Sequence, residues 1–235
     1  MNKNINTISN VKNFFQLKKI PRRFQKSHTS HKLAVSALIL AVTIFASCRT
    51  VPEQKPEPET PQKPELSRNL IAQGQLSADQ LAAFFLSRNP NEDRAHITQF
   101  AQYYIDEASA EGINSDAAFA QMCLETGYLR FGGLVQPEFH NYCGLGAMDA
   151  EHPGEQFATE ELGVRAHIQH LQAYATKEET QLHKELVDPR YNWVHKTKYI
   201  ETIFDLTGNW ATDPHYGEKI DSLLTAMEEF IIVYF

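Results

Sequence analysis

Beyond Ser77, apolar residues recur for most of the chain at the three- and four-residue spacing of a helix face, and this period constrains the fold more than any other feature. Ser77 is placed to cap a helix running to Arg88, with Leu81, Phe84 and Phe85 on one face. After Pro90 a second stripe (Ile97, Phe100, Ala101, Tyr104, Ile105 and Ala108) runs to Glu111 and stops at Gly112. Asn114 or Ser115 can cap a third helix, from Asp116 to Thr126, ended by Gly127. Residues 130–157 hold glycine and proline too densely for a helix interior and predict loops around a short hairpin. Thr159 and the glutamates after it open a helix to Ala175. A last helix, from near Asp213, carries Ile220, Leu223, Leu224, Met227 and Ile231. The pattern predicts a mainly α (α+β) fold over residues 67–235, with one small β-hairpin and no internal repeat.

The first third of the chain has another character. The net charge of -7 over 235 residues conceals an asymmetry: residues 1–47 contain eight Lys and Arg and no Asp or Glu, leaving 14 positive against 29 negative charges in the rest. A chain that acidic is repelled by phosphate backbones and shows no local basic patch, so no nucleic-acid partner is expected. After the basic stretch, the apolar run Leu33–Phe45 is too short for a permanent membrane span, which needs about 20 residues, but suits a signal-peptide core. Its order of basic, apolar, small and then Cys48 resembles a bacterial lipoprotein signal. The resemblance implies cleavage before Cys48, acylation of that cysteine, and a place in the cell envelope on a bacterial membrane. Phe45 departs from the usual leucine, so an ordinary secretory signal or an uncleaved anchor stays open. Residues 48–66 form a tether: 49–65 hold five of the eleven prolines and four glutamates, too polar to collapse. Extended, such a segment reaches on the order of 50 Å.

Glu125 lies in AQMCLETGYL, among Met122, Leu124, Tyr128 and Leu129. Poor solvation raises a carboxyl pKa and lets it hold a proton near neutral pH, as a general acid acting on a glycosidic oxygen requires. A helix-end glutamate facing water is the plain alternative.

Four blocks in order, AFAQMCLETGYLRFGG, NYCGLGAMD, GVRAHIQHLQAYA and WATDPHYGEKI, resemble the glucosaminidase family of peptidoglycan hydrolases. The resemblance implies a lysozyme-like helical domain whose hairpin borders the active-site groove, with Glu125 as catalytic acid and Tyr216 close to it. It places Asn141, Tyr142 and Gly144 along the groove. Asn141 could bond an N-acetyl group or merely form a turn. Tyr128, Tyr142 and Trp210 could stack on sugars or pack the core. The partners implied are peptidoglycan glycan strands, with the membrane reached through the N-terminal lipid. A lytic transglycosylase of the same fold and a catalytically idle peptidoglycan-binding lipoprotein are the competing readings.

Glycosidases usually pair the acid with a second carboxylate. Asp149, Glu151 and Glu155 are available, but none stands in a matching block, so the substrate's 2-acetamido group becomes a candidate nucleophile. Cys123 and Cys143 in an exported domain invite a disulfide, or serve as two small buried residues. His167 and His170 have the spacing of two ligands on one helix face but lack a third, and read as solvated helix residues. No phosphate loop or dinucleotide motif occurs, so no metal or cofactor is expected.

Overall fold

The computed structural model describes residues 63–235 apart from Glu178. Cys48, the apolar run and most of the tether lie outside them. Six α-helices account for about half of the described residues: α1 Ala78–Arg88, α2 Arg94–Glu111, α3 Ser115–Thr126, α4 Glu160–Ala175, α5 Tyr191–Thr197 and α6 Tyr216–Tyr234. Among them no helix is long and apolar enough to cross a membrane.

The caps explain the boundaries. Ser77 and Gln80 form a reciprocal capping box on α1. Asp93, not Pro90, sets the start of α2, its side chain accepting from the His96 amide. Gly112 and Gly127 end α2 and α3 in the left-handed conformation that glycine adopts without strain. Asn114 caps α3 by accepting from the amides of Asp116 and Ala117.

Helix α3 is the axis of the domain. Ten of its twelve residues are buried and only Leu124 and Glu125 at its C-terminal end reach the surface, so the other helices must cover the rest. Phe84 and Phe85 from α1, Phe100 and Tyr104 from α2, Ile168 from α4 and Leu224 and Met227 from α6 join Phe119 and Met122 in one core. Helix α2 lies between α1 and α4, and α6 packs on α3. The polar side chains drawn into this interior are matched: no sealed side-chain nitrogen or oxygen among the described residues lacks a partner.

Order begins earlier than composition suggests. Leu66, assigned to the tether, is buried, and its amide donates to Glu228 at 2.9 Å. Arg68 bonds Asp221 and Glu228, while the Asn114 amide donates to the carbonyls of Ser67 and Asn69. The segment ahead of α1 is thus fastened to α6 and to the first turn of α3.

Two expectations change. The hairpin of residues 130–157 reduces to an isolated bridge between Asp149 and His152, with no named strand among the described residues. A side chain does the work of a ladder here: buried Asn141 donates to the carbonyls of Leu145 and Glu155 and accepts from the Leu145 amide. Helix α5 was not anticipated. Its seven residues have no side-chain cap and too few turns to display a period.

Candidate active site

Glu125 occupies the penultimate position of α3, where the helix leaves the core and meets the loop 127–159. The backbone after it is tightly wound: Tyr128, Leu129 and Phe131 all have positive φ, which costs non-glycine residues of order 1 kcal/mol each and concentrates at functional sites. Tertiary bonds hold the turn, with Arg130 donating to the carbonyls of Gly127 and Arg88 and Asn89 to that of Tyr128.

One oxygen of Glu125 is fully engaged. Oε1 accepts a short hydrogen bond from the Tyr216 hydroxyl and a second, of 3.2 Å, from the Trp210 indole. Oε2 has no partner among the described residues. Glu125 also lines a 190 Å³ cavity with Phe131, Leu134, Val135, Asn141 and Gly144. Crowding by these neighbours raises its carboxyl pKa above the ordinary value, against the opposing pull of the Tyr216 and Trp210 bonds.

Tyr216 is brought to Glu125 by the start of α6. The next residue must be glycine, because a Cβ at Gly217 would stand 2.6 Å from the Phe204 backbone and 2.8 Å from the Ile203 carbonyl oxygen. Burial and the facing Glu125 push the Tyr216 hydroxyl well above its usual pKa, so it remains a donor.

Behind Tyr216 runs a chain of hydrogen bonds that sequence reading missed. Gln121 Nε2 donates to the Tyr216 hydroxyl at 2.8 Å, Gln121 Oε1 faces His167 Nε2 at 3.1 Å, and His167 Nδ1 faces the Tyr104 hydroxyl at 3.0 Å. Because Tyr216 donates to a carboxylate, it must accept from the amide end of Gln121. The amide oxygen therefore faces His167, whose Nε2 carries the proton, and Tyr104 donates to Nδ1. Every donor in the series points toward Glu125. His167 is neutral in this setting, its pKa driven down to about 3, chiefly by burial and then by nearby His170. The signal was available: Gln121 and Glu125 are four apart on an otherwise apolar helix, so they share a face.

His167 and His170 are accordingly buried rather than solvated, the latter with Nδ1 2.7 Å from Asp188. Among the described residues no group of three or more His, Cys, Asp or Glu is arranged to hold a metal.

The other sequence candidates divide. Trp210 joins the site as a donor to Glu125, its ring packed among His167, His170 and Tyr174. Gly144, with φ of 68°, lines the Glu125 cavity and a neighbouring one of 310 Å³. Asn141 lines the Glu125 cavity, and its amide is occupied by the backbone of its own loop, the turn-forming of the two roles open to it. Tyr142 is core, edge-on to Phe100 at 4.7 Å, because its loop packs inward on α2. Tyr128 is half-buried and packs on Phe84 and Phe85; burial raises its pKa to about 12. Cys123 and Cys143 are free thiols, not a disulfide: Cys123 belongs to the main core, Cys143 to a separate cluster with Leu145 and Ala166. No second carboxylate lines either cavity among the described residues; Asp149 is exposed and bonded to His152.

A buried tyrosine thus holds one oxygen of a carboxylate at a cavity of a helical domain and leaves the other oxygen without a partner among the described residues. The family model for mannosyl-glycoprotein endo-beta-N-acetylglucosaminidase matches residues 101–229, taking in Gln121, Glu125, His167, Trp210 and Tyr216. A Borreliella burgdorferi protein described as uncharacterized is 41% identical over 161 residues, covering 68% of this chain and 78% of its own. No solved structure matches the chain. The chain belongs to the glucosaminidase family, which makes it a glycoside hydrolase and implies a peptidoglycan substrate.

Proposed function

We propose that the protein cleaves the β-1,4 bond of N-acetylglucosamine within peptidoglycan glycan strands, with Glu125 as general acid. The observation that carries this reading is the asymmetry of the carboxyl group: Oε1 is held by Tyr216 and Trp210, while Oε2 has no partner among the described residues. With Oε1 accepting two bonds, the proton of the neutral acid resides on Oε2, the oxygen available to a substrate. Transfer of that proton to the glycosidic oxygen breaks the C1–O bond as positive charge develops on the sugar ring. The 2-acetamido oxygen of the same sugar closes onto C1, and water then opens this ring, returning a proton to Glu125. The lack of a second carboxylate in either cavity supports assistance by the substrate. Tyr216 positions the acid and stays protonated throughout. Asn141 and Gly144 shape the groove wall through backbone geometry.

In this reading residues 1–47 are a cleaved signal, Cys48 carries the lipid, and the tether holds residues 67–235 near a membrane of the cell envelope. Digestion of purified peptidoglycan by wild type and by Glu125→Gln, followed by mass spectrometry of the fragments, tests the catalytic part. Reducing N-acetylglucosamine ends are expected from wild type, with a loss on the order of 10³ or more in rate for the variant. Anhydro-sugar ends would assign a lytic transglycosylase instead, and undiminished activity in the variant would remove Glu125 from the chemistry.

A further inference from the structure

Past Trp210 the groove opens into the 310 Å³ cavity, continuous with the Glu125 cavity in sharing Gly144 and Ala147. Its charge opposes that of the protein. Arg190 and Lys198 line it and no Asp or Glu does, in a chain whose carboxylates otherwise outnumber its cations. Lys198 Nζ is held by the Asn209 side chain at 3.1 Å, and no carboxylate among the described residues pairs with Arg190 or Lys198. Two acids stand behind the lining: Glu155, whose carboxyl group lies against Gly146, and Asp188, which is buried. One of its oxygens takes His170 Nδ1 at 2.7 Å and the other the Arg190 amide at 2.8 Å. His170 Nε2 has no protein partner, yet no sealed side-chain nitrogen among the described residues goes unpartnered, so this atom opens to the cavity that His170 lines. Exposed Trp193 completes the rim and offers a flat face to a pyranose ring. Cations that line a cleft and are paired with no carboxylate draw an anion into it.

We propose that this cavity is a carboxylate subsite, binding the acidic 3-O-substituent of the sugar next to the one cleaved: the lactyl acid of a muramoyl residue or the stem peptide attached to it. The assignment rests on the glycan-strand reading of Glu125. Arg190 and Lys198 supply the charge-assisted donors. The subsite distinguishes alternating, acid-bearing strands from neutral N-acetylglucosamine polymers.

The test compares kcat/KM on peptide-free glycan strands with free lactyl carboxylates, on the same strands methyl-esterified, and on strands retaining stem peptides, for wild type and Arg190→Ala/Lys198→Ala. The expected result is a preference of about tenfold or more for acid over ester in wild type, the size of one charge-assisted hydrogen bond, collapsing toward one in the double variant. Preference for stem-peptide strands over peptide-free ones, lost in the same variant, assigns the peptide as the carboxylate source. Equal rates on acid and ester strands in wild type, or a preference that survives the double substitution, overturns the subsite. If wild type cleaves none of the strands, the catalytic reading fails instead. Equilibrium binding of acid and ester strands to wild type and double variant then decides the subsite by the same ratio.

Discussion

Removal of a single oxygen, by Tyr216→Phe, moves two observables in opposite senses. The phenol donates to Glu125 Oε1, a bond that favours the carboxylate and so depresses the Glu125 pKa against the effect of burial. A hydrogen bond to a charged group contributes about 1.5–3 kcal/mol, which at 1.36 kcal/mol per pH unit corresponds to about one to two units. Glu125 is open to water on one side and keeps the Trp210 bond, so the lower end, about one unit, is expected. A general acid works while protonated, and its pKa sets the alkaline limb of kcat/KM. Loss of the donor raises that pKa, so the limb moves about one unit toward higher pH. Stability falls meanwhile, because buried Gln121 Nε2 loses its acceptor, at about 1–3 kcal/mol by urea denaturation. A limb that stays in place, or moves to lower pH, would refute the assignment of that limb to a Glu125 proton held by Tyr216.

Other consequences are open to measurement. His167, with a folded pKa of about 3 against about 6.5 unfolded, is between those values neutral in the native state and charged in the unfolded one. Below about pH 6.5 the unfolded chain gains a proton that the native one does not, so stability falls toward pH 3 at about 1.4 kcal/mol per unit. The urea midpoint followed between pH 5 and 7 should lose that slope in His167→Phe, and an unchanged slope excludes this histidine as its source. Gly217→Ala drives a methyl group into the Phe204 backbone; a cost of about 1–3 kcal/mol and a fall in kcat as Tyr216 shifts are expected, and wild-type thermal stability would contradict the packing. Cys123 and Cys143 are buried thiols whose pKa values burial pushes up, so a disulfide-exchange reagent should find neither in the native protein and both after denaturation. A melting temperature that drops with dithiothreitol would indicate a disulfide after all.

Much of the helical frame could be read from caps and stripes because these are local: Ser77, Gly112, Gly127 and Thr159 act within one turn of themselves. Glu125 stood out for the same reason, as a carboxylate on an apolar turn. What escaped depended on distant partners. Asn141 has the same side chain whether it grips a sugar or its own loop, and only the carbonyls of Leu145 and Glu155 decide. The spacing of His167 and His170 is silent about burial, which Tyr104, Gln121 and Asp188 impose from other elements. Helix α5 and the shrunken hairpin failed for lack of length, since one or two turns display no period.

The fastening of residues 66–70 has a mechanical consequence. Asn114, which grips Ser67 and Asn69, stands at the opposite end of α3 from Glu125, and twelve helical residues separate the two ends by about 18 Å. Tension applied to the chain ahead of Lys63 is therefore borne first by the bonds from Leu66 and Arg68 to α6 and by the Asn114 clamp. As a strain relief keeps a tug on a cable from reaching its terminal, these contacts spare the far end of the helix. A pull on this side of the domain would leave Glu125 in register with Tyr216 and Trp210.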